Sequence, residues 1–418
     1  MSPTDPDPSL EPQPEPSVDA RIFRQRAFIQ FWSARVLSSL SFQMVAVALG
    51  WQIYALTHSA YALGLVGLAQ FLPMFALTLV VGHVADRYDR RLVVSIGTAV
   101  NAAAVAVLAL GSWHGWLGPA AIYLLAAISG GARAFVTPTL PAMLAGLVPR
   151  PLLQRATALS TSAGQTAQVV GPALGGLLYA CGASVAYGVA ALALILSSGL
   201  LATIAMVPVV RAREPLSVAS LLSGIAFIRS QPIILGAISL ELFAVLLGGA
   251  TALLPIYASD ILHTGPVGLG VLRSAPAIGS LGAALLLARR PMHTDFGRLM
   301  FTAVIMFGVA TMVFGISRNF YLSLAALFAT GAADSISVVI RQTLVQLRTP
   351  DVMRGRVGAV NALFIGTSNQ LGEFESGILA GLMGAVPSVL LGGLGTVAVA
   401  LLWIKLFPQL RQARSLEA

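Results

Sequence analysis

Apolar stretches about as long as a bilayer is thick recur through this chain, separated by short polar breaks, and that recurrence leaves few folds open. A membrane-spanning helix needs about 20 mostly apolar residues. Such stretches fall near residues 29–54, 60–82, 92–112, 119–146, 156–180 and 185–208. After a break at 209–231 they resume near 232–258, 266–288, 298–316, 320–346, 357–382 and 387–408. Twelve spans use roughly 240 positions, which fits a chain of 418 residues. The composition agrees, with 57% hydrophobic and 10% charged residues, against about 45–50% and about 25% in soluble domains. A disordered chain and an ordinary water-soluble enzyme are both excluded. The expected fold class is an all-α membrane protein with 12 transmembrane helices.

The formal charge of +9 arises from 24 arginines and one lysine, Lys405, against 16 acids. Nucleic-acid binding needs a basic face on a soluble domain, whereas these arginines cluster between apolar runs. The tail before span 1, the even-numbered connections and the C-terminal tail hold 20 of the 25 basic residues, and the opposite side holds one, Arg318. Short loops rich in Arg and Lys stay in the cytoplasm, so both termini are expected there. Residues 1–20 form a Pro-rich acidic tail, read as disordered, without the basic start and apolar core of a secretory signal. Cys181 stands alone, which excludes an intramolecular disulfide and a cysteine metal cluster.

The two sets of six spans are related by sequence. A shift of 203 positions aligns Ile53-Tyr54-Ala55 with Ile256-Tyr257-Ala258, Gly67 with Gly270 and Pro73 with Pro276. A shift of 201 aligns Gly130 with Gly331, Pro149 with Pro350, Arg155 with Arg356, Gly171 with Gly372 and Gly176 with Gly377. This predicts two pseudo-symmetric six-helix bundles, 21–208 and 232–408, with a substrate site between them near mid-membrane. The linker 209–231 carries an amphipathic segment, Ala219 to Ser230, whose Leu221, Leu222, Ile225 and Ile228 share one helical face. It either lies on the membrane surface or packs on the bundle ends. Residues 409–418 form a tail.

Eight ionisable residues fall inside predicted spans: Arg35, Arg133, Glu241, Arg273, Asp334, Arg341, Glu373 and Glu375. A charge in hydrocarbon costs about 2.5 kcal/mol or more, so such residues face a polar cavity and a partner. The 201-residue repeat equates Arg133 with Asp334, which places opposite charges at similar depth and suggests that they face each other across a central cavity. Asp334 and Arg341 share a helical face about 10.5 Å apart along the axis. Glu373 and Glu375 point roughly 200° apart, one toward the cavity and the other toward a neighbouring helix. The competing reading for any one of them is a static salt bridge. His58, His83, His114, His263 and His293 show no metal-ligand spacing, and no Gly-x-x-x-x-Gly-Lys-Ser/Thr phosphate loop occurs. No cofactor and no metal are expected.

Two local motifs complete the pattern. The loop after span 2 reads Gly82-His-Val-Ala-Asp86-Arg87-Tyr-Asp89-Arg90-Arg91, and span 5 contains Gly164 followed by Gly171-Pro172-Ala-Leu-Gly175-Gly176. The first run resembles the signature loop of the major facilitator superfamily, with Asp89 where that family most often has glycine. The second resembles the superfamily's antiporter motif, seen mainly in exporters. The resemblance gives Asp86 and Arg87 the role of locking the cytoplasmic gate. In the second half, Arg289, Arg290, Gly297 and Arg298 form only a degraded echo.

From about residue 25 to 408 the chain resembles bacterial exporters of the enterobactin-exporter and drug-antiporter group. Leu254-Pro-Ile-Tyr-Ala258, Gly270-Val-Leu-Arg-Ser-Ala-Pro276 and Leu371-Gly-Glu-Phe-Glu-Ser-Gly377 carry that likeness in the second half. The resemblance implies an inner-membrane transporter that exports a siderophore or amphipathic drug-like molecule against protons by alternating access; a monomer is expected. Its partners are then the lipid bilayer, a small-molecule substrate and protons. Glu241 and Asp334 are favoured as the coupling acids because each sits mid-way along a helix that lines the cavity in this superfamily. The same fold also serves proton-independent facilitators and importers, and a non-transporting sensor is the remaining reading.

Overall fold

The structure is a computed structural model that describes residues 22–23, 25–205, 218–289 and 295–412. The expected tail 1–20, the linker stretch 209–217, Arg290 and His293 lie outside the described residues, as do the side chains of Gly82, His83 and Asp86.

Inside a bilayer each backbone N–H and C=O must be satisfied within the segment, which makes helices of the apolar stretches. The first half comprises α1 (Arg26–Thr57), α2 (Ala60–Arg87), α3 (Arg90–His114), α4 (Pro119–Leu147), α5 (Arg150–Ala180) and α6 (Ala183–Ala202). The linker helix is α7 (Val218–Ser230). The second half comprises α8 (Pro232–Leu247), α9 (Gly265–Arg289), α10 (Phe296–Ile316), α11 (Phe320–Arg348), α12 (Asp351–Met383) and α13 (Ala385–Leu406). The sequence repeat reappears in the helix ends. Shifted by 201, α4 runs from Pro119 to Phe320 at its start and from Leu147 to Arg348 at its end. Pro149 before α5 and Pro350 before α12 have φ −56 with ψ 148 and 147. The joints after these helices correspond too: Gly182 at φ +132 and Gly384 at φ +93 hold backbone conformations that side-chain-bearing residues rarely adopt.

Among the described residues ten helical segments are long and apolar enough to cross a membrane, by length and composition. α5 and α12 are equally long but more polar, and they are repeat equivalents. Their placement accounts for this, because α5 packs on α9 and α12 packs on α2, the most extensive contacts between one half and the other. Polar residues on these two helices, such as Gln168 and Asn361, line cavities.

The expected span at 232–258 is present as the apolar segment Pro232–Ile261, but its helix is interrupted. After Leu247 the chain passes through Gly248-Gly249, a 3-10 turn at Ala250–Leu253, one α turn at Leu254–Ile256 and a π turn at Tyr257–Ile261. Glycine is a poor helix former and Pro255 lacks an N–H, so local sequence favours the break. Packing uses it as well. A Cβ at Gly249 would stand 2.4 Å from the Gly372 carbonyl oxygen, so the break lets α12 come close.

The linker helix packs on the second half, the second of its two expected positions. Ile228 is buried with Ile234, Val345, Val357 and Val360, and Ile225 lies against them. Leu222, by contrast, is exposed.

Six traversals per half bring the entry into α1 and the exit from α13 to one end of the bundle, called here the terminal end. At the opposite, distal end one hydrophobic core is common to both halves, joining Tyr54, Leu63 and Leu108 to Leu254, Tyr257, Leu269 and Phe314. At the terminal end the cores are separate. Phe28, Phe31, Met143 and Leu201 belong to the first half, and Phe296, Met300, Leu344 and Leu410 to the second. The distal seam is tight because its helices meet at glycines, which lets backbones touch. A Cβ at Gly176 would lie 2.3 Å from the Pro266 carbonyl oxygen, and one at Gly377 2.6 Å from the Gly64 Cα. Tyr54 also donates a hydrogen bond across the halves to Asp260. Replacing Gly176 by valine is therefore expected to force the distal ends apart. Spin labels on Cys181 and on a His263→Cys variant should read a longer distance in that background, and an unchanged distance would mean that the seam does not depend on this contact.

Candidate functional site

Two sizeable cavities lie among the described residues, one in each half. The first, about 270 Å³, is lined by side chains of α1, α3, α4 and α5, among them Arg35, Phe42, Asn101, Arg133 and Gln168. The second, about 190 Å³, lies among α8 to α12 and is lined by Thr251, Thr330, Asp334, Asn369 and Glu373. Charge is thus segregated, with arginines on the walls of one cavity and carboxylates on the walls of the other. Arg133 and Asp334, expected to face each other across one slot, line different cavities. The Arg133 guanidinium instead stacks on Phe42, 3.6 Å from the ring centroid, a cation–π contact favoured where water is scarce.

Beside the second cavity a buried ion pair ties three helices together. Glu241 of α8 lies 3.5 Å from Arg341 of α11. Ser337, one turn before Arg341, donates to Glu241 at 3.3 Å. Arg341 donates to Asn361 of α12 at 2.9 Å. Arg341 is 1% exposed and Glu241 7%, so the pair is held inside the protein. Asp334 is within electrostatic reach of both and opens onto the cavity as well. Sequence reading named Glu241, Asp334 and Arg341 but missed Ser337 and Asn361. Ser337 lay four positions before Arg341 on the same helical face, a usable signal, whereas nothing local marked Asn361 or Phe42.

The remaining buried charges sit at the junction of the halves. Glu373 of α12 is within electrostatic reach of Arg273 of α9 and Arg133 of α4. A Cβ at Gly67 of α2 would lie 3.2 Å from its Oε2, so this glycine makes room for the carboxylate. Glu375, two residues on, is partly buried on another face of α12. In the first cavity Gly164 lies beside the Arg35 guanidinium.

The other glycines of the α5 motif are packing sites. A Cβ would stand 2.5 Å from Gln43 at Gly171 and 2.8 Å from the Met44 Cα at Gly175. Pro172 puts its carbonyl oxygen 2.4 Å from where a Cβ on Gly270 would be. These positions bring α5 against α1 and α9.

The loop between α2 and α3 clamps the first half at its terminal end. Asp89 caps α3, accepting from the Arg91 N–H at 2.9 Å, and its side chain lies 3.5 Å from the Arg91 guanidinium. Its φ of −57 requires no glycine, which accounts for an aspartate at a position where the signature usually has one. Arg90 donates to the Ala142 carbonyl and Arg91 to that of Ile204, each at 3.2 Å, and Arg87 is exposed. Among the described residues no group of three or more His, Cys, Asp or Glu side chains could hold a metal.

A family model described as transmembrane secretion effector matches residues 20–417. The chain belongs to this family of the major facilitator superfamily. This family member is 31% identical to the enterobactin exporter EntS of Citrobacter koseri, over 93% of each chain. It is 29% identical to that of Escherichia coli O1:K1 / APEC, again over 93% of each. Its fold matches the nucleoside transporter NupG with a TM-score of 0.71 at 14% identity, covering 91% of this chain and 100% of that one. A bacterial homologue of the human lysosomal transporter Spinster, in an inward-facing and unoccupied conformation, matches with a TM-score of 0.71 at 12% identity, covering 96% and 97%. The 12-helix architecture of the superfamily is thereby established for this chain, as is its class: a multi-pass membrane transporter of a small molecule, and not an enzyme.

Proposed function

We propose that this family member is a proton-coupled exporter of the bacterial inner membrane that moves a siderophore or amphipathic drug-like molecule by alternating access. The observation that carries the proposal is the set Glu241, Asp334 and Arg341, two carboxylates and one guanidinium held in a low-dielectric interior beside a cavity. One positive charge is shared between two acids, so the arrangement is one negative charge in excess unless a proton is bound. A bound proton removes that excess, and its arrival and departure change the electrostatic energy of the site. Protons entering from outside thus supply the work for substrate leaving.

Alternating access is supported by the distribution of cores, one joint core at the distal end and separate ones at the terminal end. With the termini in the cytoplasm this conformation faces inward. Neither of these cavities reaches the roughly 300 Å³ at which drug-sized pockets begin, which favours a substrate that spans both halves and feels their relative motion. Enterobactin, named for the relatives, is the first compound to test.

In inverted membrane vesicles, uptake of enterobactin or a fluorescent dye should require an imposed proton gradient and stop when an uncoupler collapses it. Uptake indifferent to the uncoupler would instead indicate a facilitator. Orientation has its own test. Cys181 is the chain's only cysteine, is exposed and follows α5 at the distal end. An impermeant maleimide should label it in intact spheroplasts and fail to label Cys181→Ser. Labelling only after membrane disruption would place the distal end in the cytoplasm.

A further inference from the structure

The two cavities differ in a way that bears on the substrate, and the inference rests on the transport reading above. Arg35 and Arg133 both line the first cavity, and none of that cavity's lining residues is acidic. Arg133 is partly answered by Phe42 beneath it and by the charge of Glu373 at the junction. Arg35 is not. Among the described residues its side chain makes no ion pair and no hydrogen bond, and its Nε is buried without a partner. A guanidinium kept near the membrane interior without an anion is costly, and a built space beside it is the reason to keep one. Gly164 borders that space: a Cβ there would lie in ordinary van der Waals contact with Arg35 Nη2, at 3.7 Å, so a larger side chain would intrude on it. Phe42, Asn101 and Gln168 add a ring face and amides to the same wall.

We propose that the first-half cavity is an anion subsite for an aromatic or phenolic carboxylate-type group of the substrate. The planar guanidinium of Arg35 pairs two of its N–H groups with the anion, and the Arg133 guanidinium, backed by Phe42, receives the ring. Substrate anion and transported proton thus occupy different halves, the anion among arginines and the proton among the carboxylates of the second half. The two sites are joined through Glu373, which feels Arg133 from one half and Arg273 from the other.

The test is equilibrium binding to the full chain in lipid nanodiscs, with no pH gradient, measured by titration calorimetry. Salicylate is the anionic probe, benzamide the uncharged aromatic one and tetraphenylphosphonium the cation. Salicylate should bind more tightly than either, Arg35→Gln should weaken it by about tenfold or more, and Arg35→Lys should restore part of the loss. Benzamide binding should not change. Gly164→Leu, which fills the space beside the guanidinium, should weaken salicylate likewise and carries the test if Arg35→Gln does not fold. Tighter binding of tetraphenylphosphonium than of salicylate, or unchanged salicylate affinity in the Arg35 and Gly164 variants, overturns the proposal. Because no gradient is applied, this outcome is independent of whether transport is coupled to protons.

Discussion

Replacing Arg341 by methionine is expected to cost about 3–5 kcal/mol of stability, the range for stripping one partner from a buried ion pair. Glu241 would remain in the interior with Ser337 as its hydrogen-bond donor, and Asn361 would lose its donor from Arg341. Both consequences are uphill, because an unanswered buried charge or acceptor loses its solvation and gains little in return. The companion double substitution Glu241→Leu with Arg341→Met removes both charges and should recover most of that loss. Thermal unfolding in detergent for wild type, both single variants and the double variant closes the cycle. The double variant should be stable yet unable to couple transport to protons. That outcome separates the structural work of the pair from its proposed functional work. A double variant as unstable as Arg341→Met alone would show that the pair is not the source of the cost.

The second large effect is expected at Asp334. One proton moving down a driving force of 100 mV releases about 2.3 kcal/mol, which supports roughly a fiftyfold concentration ratio of substrate. Asparagine at 334 preserves size and hydrogen-bonding capacity while abolishing titration. Accumulation in vesicles should therefore fall from tens-fold to near unity in Asp334→Asn, while exchange of labelled for unlabelled substrate persists. A variant that still concentrates substrate as the wild type does would remove Asp334 from the coupling reaction.

What the sequence disclosed follows from which interactions are local. Hydropathy located the helices because the bilayer imposes length and apolarity on each span independently of its neighbours. The repeat related the two halves because Pro149 and Pro350, or Gly176 and Gly377, are point-for-point equivalents. The break after Leu247 was visible as Gly248-Gly249, yet its extent depends on how closely α12 approaches, a tertiary matter. The buried charges could be named because their cost in hydrocarbon makes each conspicuous. Their partners could not. That Arg341 meets Glu241 and Asn361, that Arg133 stacks on Phe42 and that Asp334 opens into a cavity without Arg133 are set by helix rotation and packing. At the loop after α2, Asp89 in the glycine position reads as a departure in sequence and as a helix cap in three dimensions.

Proton coupling is tested most directly by watching protons and substrate together. In liposomes holding the purified protein and an entrapped pH-sensitive dye, an imposed substrate gradient with no initial pH difference should drive protons in the direction opposite to substrate. The movement should vanish in the Glu241→Gln, Asp334→Asn double variant. Substrate flux of equal size in both proteins, with no change in internal pH in either, would contradict the account.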